Sequence, residues 1–324
     1  MTRGTGFMLA SRALLPAACC FALSAGAADA QERVLVLGTA TPGGGLTVYG
    51  EALAQAIRAV DAQLDIRLRQ TAGSRENIPL LEAGKLDLGL VEGTAAYEAL
   101  EGIGRAPARL SVVAAMYPSP GMFAVRADSA YRNIDDLKGR KVVFGASGSG
   151  FVLLARYVLD GLGLDQGRDF EPILLDSAAE GPPMVLNGDA AAMWGGGIGW
   201  PAFEAIARGP SGVRFIAPQG EEIARIRAKY PFLKQMTVPA GAYPGQHSAI
   251  STVGSWSLIL ARPGLPEELA WRFARALHRA QPALGLHLPQ ARETTPANTL
   301  AASPRSDLIH RGTIRYLREM GLTP

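Results

Sequence analysis

The segment Thr71-Ala72-Gly73-Ser74-Arg75-Glu76-Asn77-Ile78-Pro79-Leu80-Leu81-Glu82-Ala83-Gly84-Lys85-Leu86-Asp87-Leu88-Gly89-Leu90-Val91-Glu92-Gly93-Thr94 falls into three parts. A strand over Leu64 to Gln70 delivers the chain into a small polar turn. A short helix follows, with Ile78 and Leu81 on its inner side. Gly84 stops it, and Leu86 to Val91 is a short apolar run of buried-strand type. Glu92-Gly93-Thr94 then forms a second polar turn. Two polar turns at the carboxyl ends of two strands mark the edge of an open parallel α/β sheet. Ligands bind at that edge, because helix N-termini and unpaired backbone N–H groups face it.

The same grammar recurs on either side. Upstream, Arg33 to Gly38 reads as a buried parallel strand. The turn Thr39 to Gly45 with three glycines follows it, then a helix over Leu46 to Val60 carrying Tyr49, Leu53 and Ile57 on one face. Downstream, Lys141 to Gly145 is a strand, Ala146 to Gly150 a turn and Phe151 to Leu162 an amphipathic helix. Ala190 to Trp194 is another short strand, ending in Gly195-Gly196-Gly197. Two similar halves predict two lobes facing one another across a cleft, an arrangement open to binding proteins and two-domain enzymes alike. Leu110 to Tyr117 and Gly121 to Arg126 read as strands separated by Pro118-Ser119-Pro120. Phe170 to Asp176 and Val213 to Pro218 are strands of the second half, and Ser251 to Ala261 carries the chain back to the first. A helix starts at Pro266-Glu267-Glu268. Gln281 to Asp307 reads as irregular, and a last helix spans Thr313 to Met320.

At the N-terminus, Arg3 and Arg12 flank small and apolar residues, and Ala13 to Leu23 is an apolar core. Ala28-Asp29-Ala30 fits the small-x-small cleavage rule, so residues 1–30 are expected to be a secretory signal peptide cut after Ala30. Both cysteines, Cys19 and Cys20, lie in that segment, which leaves no disulfide in the mature chain. Lys and Arg number 32 against 29 Asp and Glu; removing Arg3, Arg12 and Asp29 leaves 30 against 28. With no basic block, nucleic acid is not an expected partner.

The turn Gly145-Ala146-Ser147-Gly148-Ser149-Gly150 admits three readings. It follows a strand and opens a helix, as a dinucleotide fingerprint does, but its spacing is G-x-x-G-x-G. A nucleophile elbow would need glycine where Ser149 stands. The third reading is an anion cradle made of N–H groups of Gly148, Ser149 and Gly150 with the Ser147 and Ser149 hydroxyls. His247, His278, His287 and His310 show no metal-ligand spacing, and His278 is expected on a helix surface. Tyr49, Tyr117, Trp194, Trp200 and Tyr243 flank glycine or proline turns, where rings can enclose a solute or simply fill core. Asp87 is expected to bond backbone. No cofactor motif is present.

Taken in order, these residues resemble the TAXI-type solute receptors of tripartite ATP-independent periplasmic (TRAP) transporters. The resemblance rests on Gly43-Gly44 with Tyr49, Thr71-x-Gly73-Ser74-x-x-Asn77 with Leu81-x-x-Gly84-x-x-Asp87, and Asp136-Leu137-Lys138-Gly139 before Gly145-x-x-Gly148-Ser149-Gly150. Gly199-x-Pro201, Tyr243-Pro244-Gly245 and His310-x-Gly312-x-x-Arg315-Tyr316-x-x-Glu319-x-Gly321 extend it. The chain departs from the family's pattern at Ala191, Glu92 and Arg311.

The resemblance implies an α/β type II periplasmic-binding-protein fold: two Rossmann-like lobes with a ligand cleft between them. Residues 31–125 would form the first part of lobe 1, 126–250 lobe 2, and 251–324 the return to lobe 1 with C-terminal helices. The lobes would close on crossings near Phe123 to Asp128 and Ser251 to Leu258. The implied function is a monomeric, non-enzymatic periplasmic receptor that passes a small organic anion, a dicarboxylate or an acidic amino acid such as glutamate, to TRAP permease subunits. A nucleotide-using two-domain enzyme and a binding protein feeding a sensor kinase are the alternatives. The candidate ligand set is Gly43, Gly44, Tyr49, Thr71, Ser74, Asn77, Glu92, Thr94, Tyr117, Ser147, Gly148, Ser149, Gly150, Trp194 and Tyr243.

Overall fold

The computed structural model describes residues 33–323, with Met1, Thr2 and Gly4. The expected leader, its cleavage after Ala30 and both cysteines lie outside the described residues. No described helix is long and apolar enough to cross a membrane.

The first half opens with β1 (Arg33–Gly38), α1 (Gly45–Val60), β2 (Leu64–Arg69), α2 (Ser74–Glu82), β3 (Leu88–Val91) and α3 (Gly93–Glu101). β1 pairs in parallel with β2 on one side and β3 on the other, so the turns after all three strands share one edge. Both faces of this sheet are covered, which is why its strands read as apolar runs. On one face Leu35 and Leu37 meet Tyr49, Leu53 and Ile57 of α1, with Phe273 and Leu277 from the C-terminal region. On the other, Ile78 and Leu81 of α2 pack with Ala95 and Ala99 of α3. Asp87 bonds backbone as expected: Val36 N–H donates to its Oδ2 at 2.9 Å, while Arg262 pairs with Oδ1 at 2.8 Å.

β4 (Ser111–Arg126) is one long strand rather than two. Prolines normally interrupt a sheet because they lack the N–H donor. Here β4 runs through Pro118 and Pro120 beside β10 (Ile250–Ala261), whose register shifts between Trp256 and Leu258. Side chains hold the two strands where main-chain bonding falters: Ser119 Oγ meets Ser257 Oγ at 2.8 Å, and Thr252 Oγ1 donates to the Gly121 carbonyl at 2.6 Å.

The second half contains β5 (Lys141–Ala146), α4 (Gly150–Gly161), β6 (Glu171–Leu175), α5 (Gly181–Asn187), β7 (Ala192–Gly196), α6 (Pro201–Ala207), β8 (Val213–Ile216), α7 (Glu221–Lys229) and β9 (Lys234–Val238). β5 pairs in parallel with β6 and β7. β4 serves both halves. Up to Pro120 it pairs with β10; from Gly121 it pairs with β7, and from Phe123 with β8 as well. β10 likewise pairs with β9 over Ile250–Gly254 and with β3 from Leu258. The change of partner in β4 thus falls at Pro120–Gly121, a little before the expected crossing. Phe123, Phe144, Leu154, Val158 and Trp194 form the core on one face of the second half, and Met122, Val143, Met193 and Phe203 that on the other.

The C-terminal region corrects the expectation of an irregular stretch from Gln281. α8 (Glu267–His287) continues through Pro282, and α9 (Pro296–Ala302) and α10 (Arg311–Glu319) follow, with 3-10 turns at Pro289–Glu293 and Ser306–Leu308. Ala280, Leu284 and Ala291 are buried there, and that burial overrides the local turn chemistry. Pro296 opens α9 in the first turn, where a missing N–H costs nothing, and Thr295 caps it. His278 is not on an open surface. Its ring stacks on Tyr316, and both ring nitrogens are shielded from solvent without a partner.

Candidate functional site

The turns after β1, β2 and β3 meet those after β5 and β7 around one cavity of about 60 Å³. Thr41, Gly44, Gly45 and Leu46 line it from the first turn, Ala72 and Gly73 from the second, and Glu92 from the third. Tyr117 enters from β4. Phe144, Gly145, Ala146, Ser149 and Phe151 contribute from the end of β5 and start of α4, Trp194, Gly196, Gly197, Ile198 and Trp200 from β7 and its turn, and Gln290 from the C-terminal region.

Contact between the halves uses main chain and side chains together, and Arg156 and Tyr157 of α4 also bond Glu98 of α3. Arg75 N–H donates to the Gly148 carbonyl at 3.0 Å, and the Arg75 guanidinium reaches the Ser147 carbonyl at 3.2 Å. Ser177 Oγ donates to the Pro42 carbonyl at 3.0 Å, and Ala178 N–H lies 3.3 Å from Thr41 Oγ1. Glycine is required at this approach: a Cβ on Gly148 would sit 2.4 Å from the Ala72 carbonyl oxygen, and one on Gly150 would sit 2.5 Å from Glu92 Cβ. The lobes are therefore in a closed arrangement.

Several candidate residues hold the turns rather than line the cavity. Asn77 is fully buried. Its Nδ2 donates to the carbonyls of Thr39 and Leu90, both at 2.8 Å, and its Oδ1 lies 2.8 Å from Thr71 Oγ1. Thr71 Oγ1 also accepts from Gly73 N–H at 3.1 Å. Together these two side chains tie the ends of β1, β2 and β3. Ser74 Oγ accepts from Glu92 N–H at 2.9 Å. Tyr49 lies behind Tyr117, the ring centroids 5.2 Å apart, with its hydroxyl 3.0 Å from Thr294 Oγ1. Tyr243 bonds the Gly197 carbonyl and accepts from Trp200 N–H, fixing the β7 turn. Gly43 packs on Ala179, Gly148 on Ala72, and Thr94 on Glu92; neither these nor Ser147 and Gly150 line the cavity. Of the expected set, Gly44, Glu92, Tyr117, Ser149 and Trp194 do line it.

Glu92 caps α3, where the positive end of the helix favours an acid. Thr94 N–H donates to its Oε2 at 2.9 Å, and Ser255 Oγ donates to Oε1. It is 1% exposed. Burial pushes its carboxyl above the usual range, opposed by the bonds from Ser255 and Thr94. Burial also raises the Tyr117 phenol, which the charges of Tyr49 and Glu92 push further. Ser149 Oγ accepts from Phe151 N–H at 3.2 Å as the cap of α4. Trp194 Nε1 donates to the Phe151 carbonyl at 2.9 Å, and the Phe151 and Trp200 rings lie parallel within 9°, centroids 6.3 Å apart.

Phe151 and Gln290 were not legible as lining residues. Phe151 fits the core face of an amphipathic helix, and Gln290 sits in the stretch read as irregular. Gln290 is 6% exposed, and its Oε1 is buried without a partner. The lining contains one carboxylate and no Lys, Arg or His. Among the described residues no group of three His, Cys, Asp or Glu is placed to hold a metal.

A family model described as the NMT1-like family matches residues 37–321. Solved structures match at low identity. The periplasmic binding protein BugD is 13% identical, over 90% of this chain and 99% of that one, with a TM-score of 0.56. The alkanesulfonate-binding protein SsuA from Xanthomonas axonopodis pv. citri, bound to MOPS, is 18% identical over 88% and 83%, with a TM-score of 0.52. A TctC solute binding protein from Polaromonas is 17% identical over 89% and 98%, with a TM-score of 0.50. These likenesses, with the strand pairing above, establish an α/β two-lobe type II periplasmic-binding-protein fold.

Proposed function

We propose that this chain, which belongs to the NMT1-like family, is an exported solute receptor that closes on one small molecule and presents it to a membrane permease. The observation that carries this reading is the cavity itself, assembled from turns of both lobes so that neither lobe alone contains it. A site divided this way couples binding to closure, because each lobe supplies contacts the other lacks. The closed arrangement is also readable from outside, which is what a permease needs to tell a loaded receptor from an empty one. TRAP-type delivery and a periplasmic location are the finer part of this proposal, and they rest on the residues that resemble TAXI-type receptors.

The reading is non-enzymatic. The nucleotide alternative needs free N–H groups in the Gly145–Gly150 turn. Two of them are already engaged, Ser147 N–H by the Leu175 carbonyl at 2.9 Å and Ser149 N–H by the Ala146 carbonyl at 2.8 Å. The small organic anion expected from the sequence would have to rely on helix N-termini and Ser149, since the lining gives it no cationic side chain. The receptor reading does not depend on the sign of the solute's charge.

Small-angle scattering tests it. Protein unfolded, dialysed and refolded to remove solute should have a larger radius of gyration than the same protein after a periplasmic small-molecule extract is added. Identical profiles in the two states would oppose the reading.

A further inference from the structure

The charge and ring content of the cavity narrow the solute. Tyr117, Phe151, Trp194 and Trp200 supply aromatic surface, and Glu92 supplies the one ionisable acid. An aromatic face is electronegative and attracts a cation, by about 0.5–1 kcal/mol when exposed and about 2 when desolvated. A carboxylate in the same dry space attracts a cation and repels an anion more strongly than it would in water. The hydrogen-bonding capacity points the same way. Gln290 Oε1, an acceptor, is buried without a partner among the described residues, so it is left to take a hydrogen bond from a solute N–H. A buried polar atom without a partner costs about 1–3 kcal/mol.

We propose that the solute is a small organic cation, an ammonium or protonated amine, whose charged nitrogen faces Glu92 and whose apolar part lies among Tyr117, Phe151, Trp194 and Trp200. This rests on the receptor reading and specifies its substrate class. The volume of about 60 Å³ suits a compact molecule. Around Glu92, α2 presents Ser74, α4 presents Gly150, β10 presents Ser255 and β4 presents Tyr117. Of these only Tyr117 titrates, and its phenol stays neutral through the physiological range. The raised carboxyl is then a property of the solute-free cavity, and an ammonium beside it restores ionisation. Binding should therefore release a proton on the acid side and strengthen as pH rises.

The experiment is isothermal calorimetry on solute-stripped full-length mature protein with two probe sets. One is butylammonium, benzylammonium and tetramethylammonium; the other is butyrate, benzoate, succinate and glutamate. The cations should bind at least about a hundredfold more tightly than the anions, and Glu92→Gln should weaken cation binding at least about tenfold. Should Glu92→Gln fail to fold, wild-type titrations in buffers of different ionisation enthalpy give the same answer through proton release, with cation affinity rising as the pH is raised. Anions binding as tightly as cations would overturn the inference, as would cation binding indifferent to both Glu92→Gln and pH. Binding of neither set would also overturn it. The receptor reading would survive each of these if the scattering change with native extract persists.

Discussion

The main-chain N–H of Arg75 and the carbonyl of Gly148 form a 3.0 Å hydrogen bond between two turns that belong to different halves of the molecule. The bond is possible only because Gly148 has no side chain: the Ala72 carbonyl occupies the space a Cβ would need. The close approach of the two turns is thus a main-chain contact, with the cavity beside them.

Gly148→Ala should hold the lobes apart without unfolding either. Gly148 is not among the residues with a left-handed backbone, so alanine is conformationally acceptable there and only the contact with Ala72 suffers. Overpacking of this kind costs about 1–3 kcal/mol, which weakens ligand binding about 5- to 150-fold. Scattering should show a more open particle and thermal melting of the solute-free protein should barely change. A matching drop in melting temperature would assign the contact to the fold instead.

Asn77→Ala should act on stability before affinity. It removes the side-chain donor to the Leu90 carbonyl, while the Thr39 carbonyl keeps Thr71 Oγ1. At about 1–3 kcal/mol for an unpaired buried group, urea denaturation should show a loss of about 1–3 kcal/mol. Folded Asn77→Ala with unchanged stability and abolished binding would instead make Asn77 a ligand contact.

Glu92 has its folded pKa raised above that of the unfolded chain. The folded state therefore favours the protonated carboxyl. Stability from this group is fully present below the unfolded value of 4.5 and is lost as pH rises through the folded pKa. In solute-free protein, Glu92→Gln should melt higher than wild type at alkaline pH, with the gap closing towards pH 4. Parallel melting curves across that range would contradict it.

His278 behaves in the opposite sense. Burial lowers its pKa to about 4, so the unfolded chain takes up a proton near pH 6.5 while the folded one does not. Stability falls between those two values, by about 3 kcal/mol at most. His278→Phe keeps the ring against Tyr316 and removes the titration. It should raise the melting temperature, most of all near pH 4–5. An equal gain at every pH would mean the imidazole titrates normally.

The polar turns were the legible part of the site, and the reason is chemical. Gly73-Ser74, Glu92-Gly93-Thr94 and Gly148-Ser149-Gly150 are residue types needed where a strand ends, a helix begins and another backbone comes close. Their geometry could not say what each side chain faces. Asn77 and Thr71 carry donors suited to a solute, yet the buried carbonyls of Thr39 and Leu90 at the ends of β1 and β3 take them up. The alternating and continuous apolar runs gave the strands, but Pro118 and Pro120 split β4 on paper, and only its pairing with β10 and β7 keeps it whole. Gln290 and Phe151 reach the cavity through tertiary placement, for which no local pattern exists.

The central claim is that the cavity between the lobes holds one small solute. Native mass spectrometry of mature protein purified from the periplasm under non-denaturing conditions tests it most directly. The account predicts a single adduct of small-molecule mass at one-to-one stoichiometry. It should be released on denaturation and reduced in Gly148→Ala, where the lobes cannot meet. Bare protein alone, or an adduct retained equally by Gly148→Ala, would contradict it.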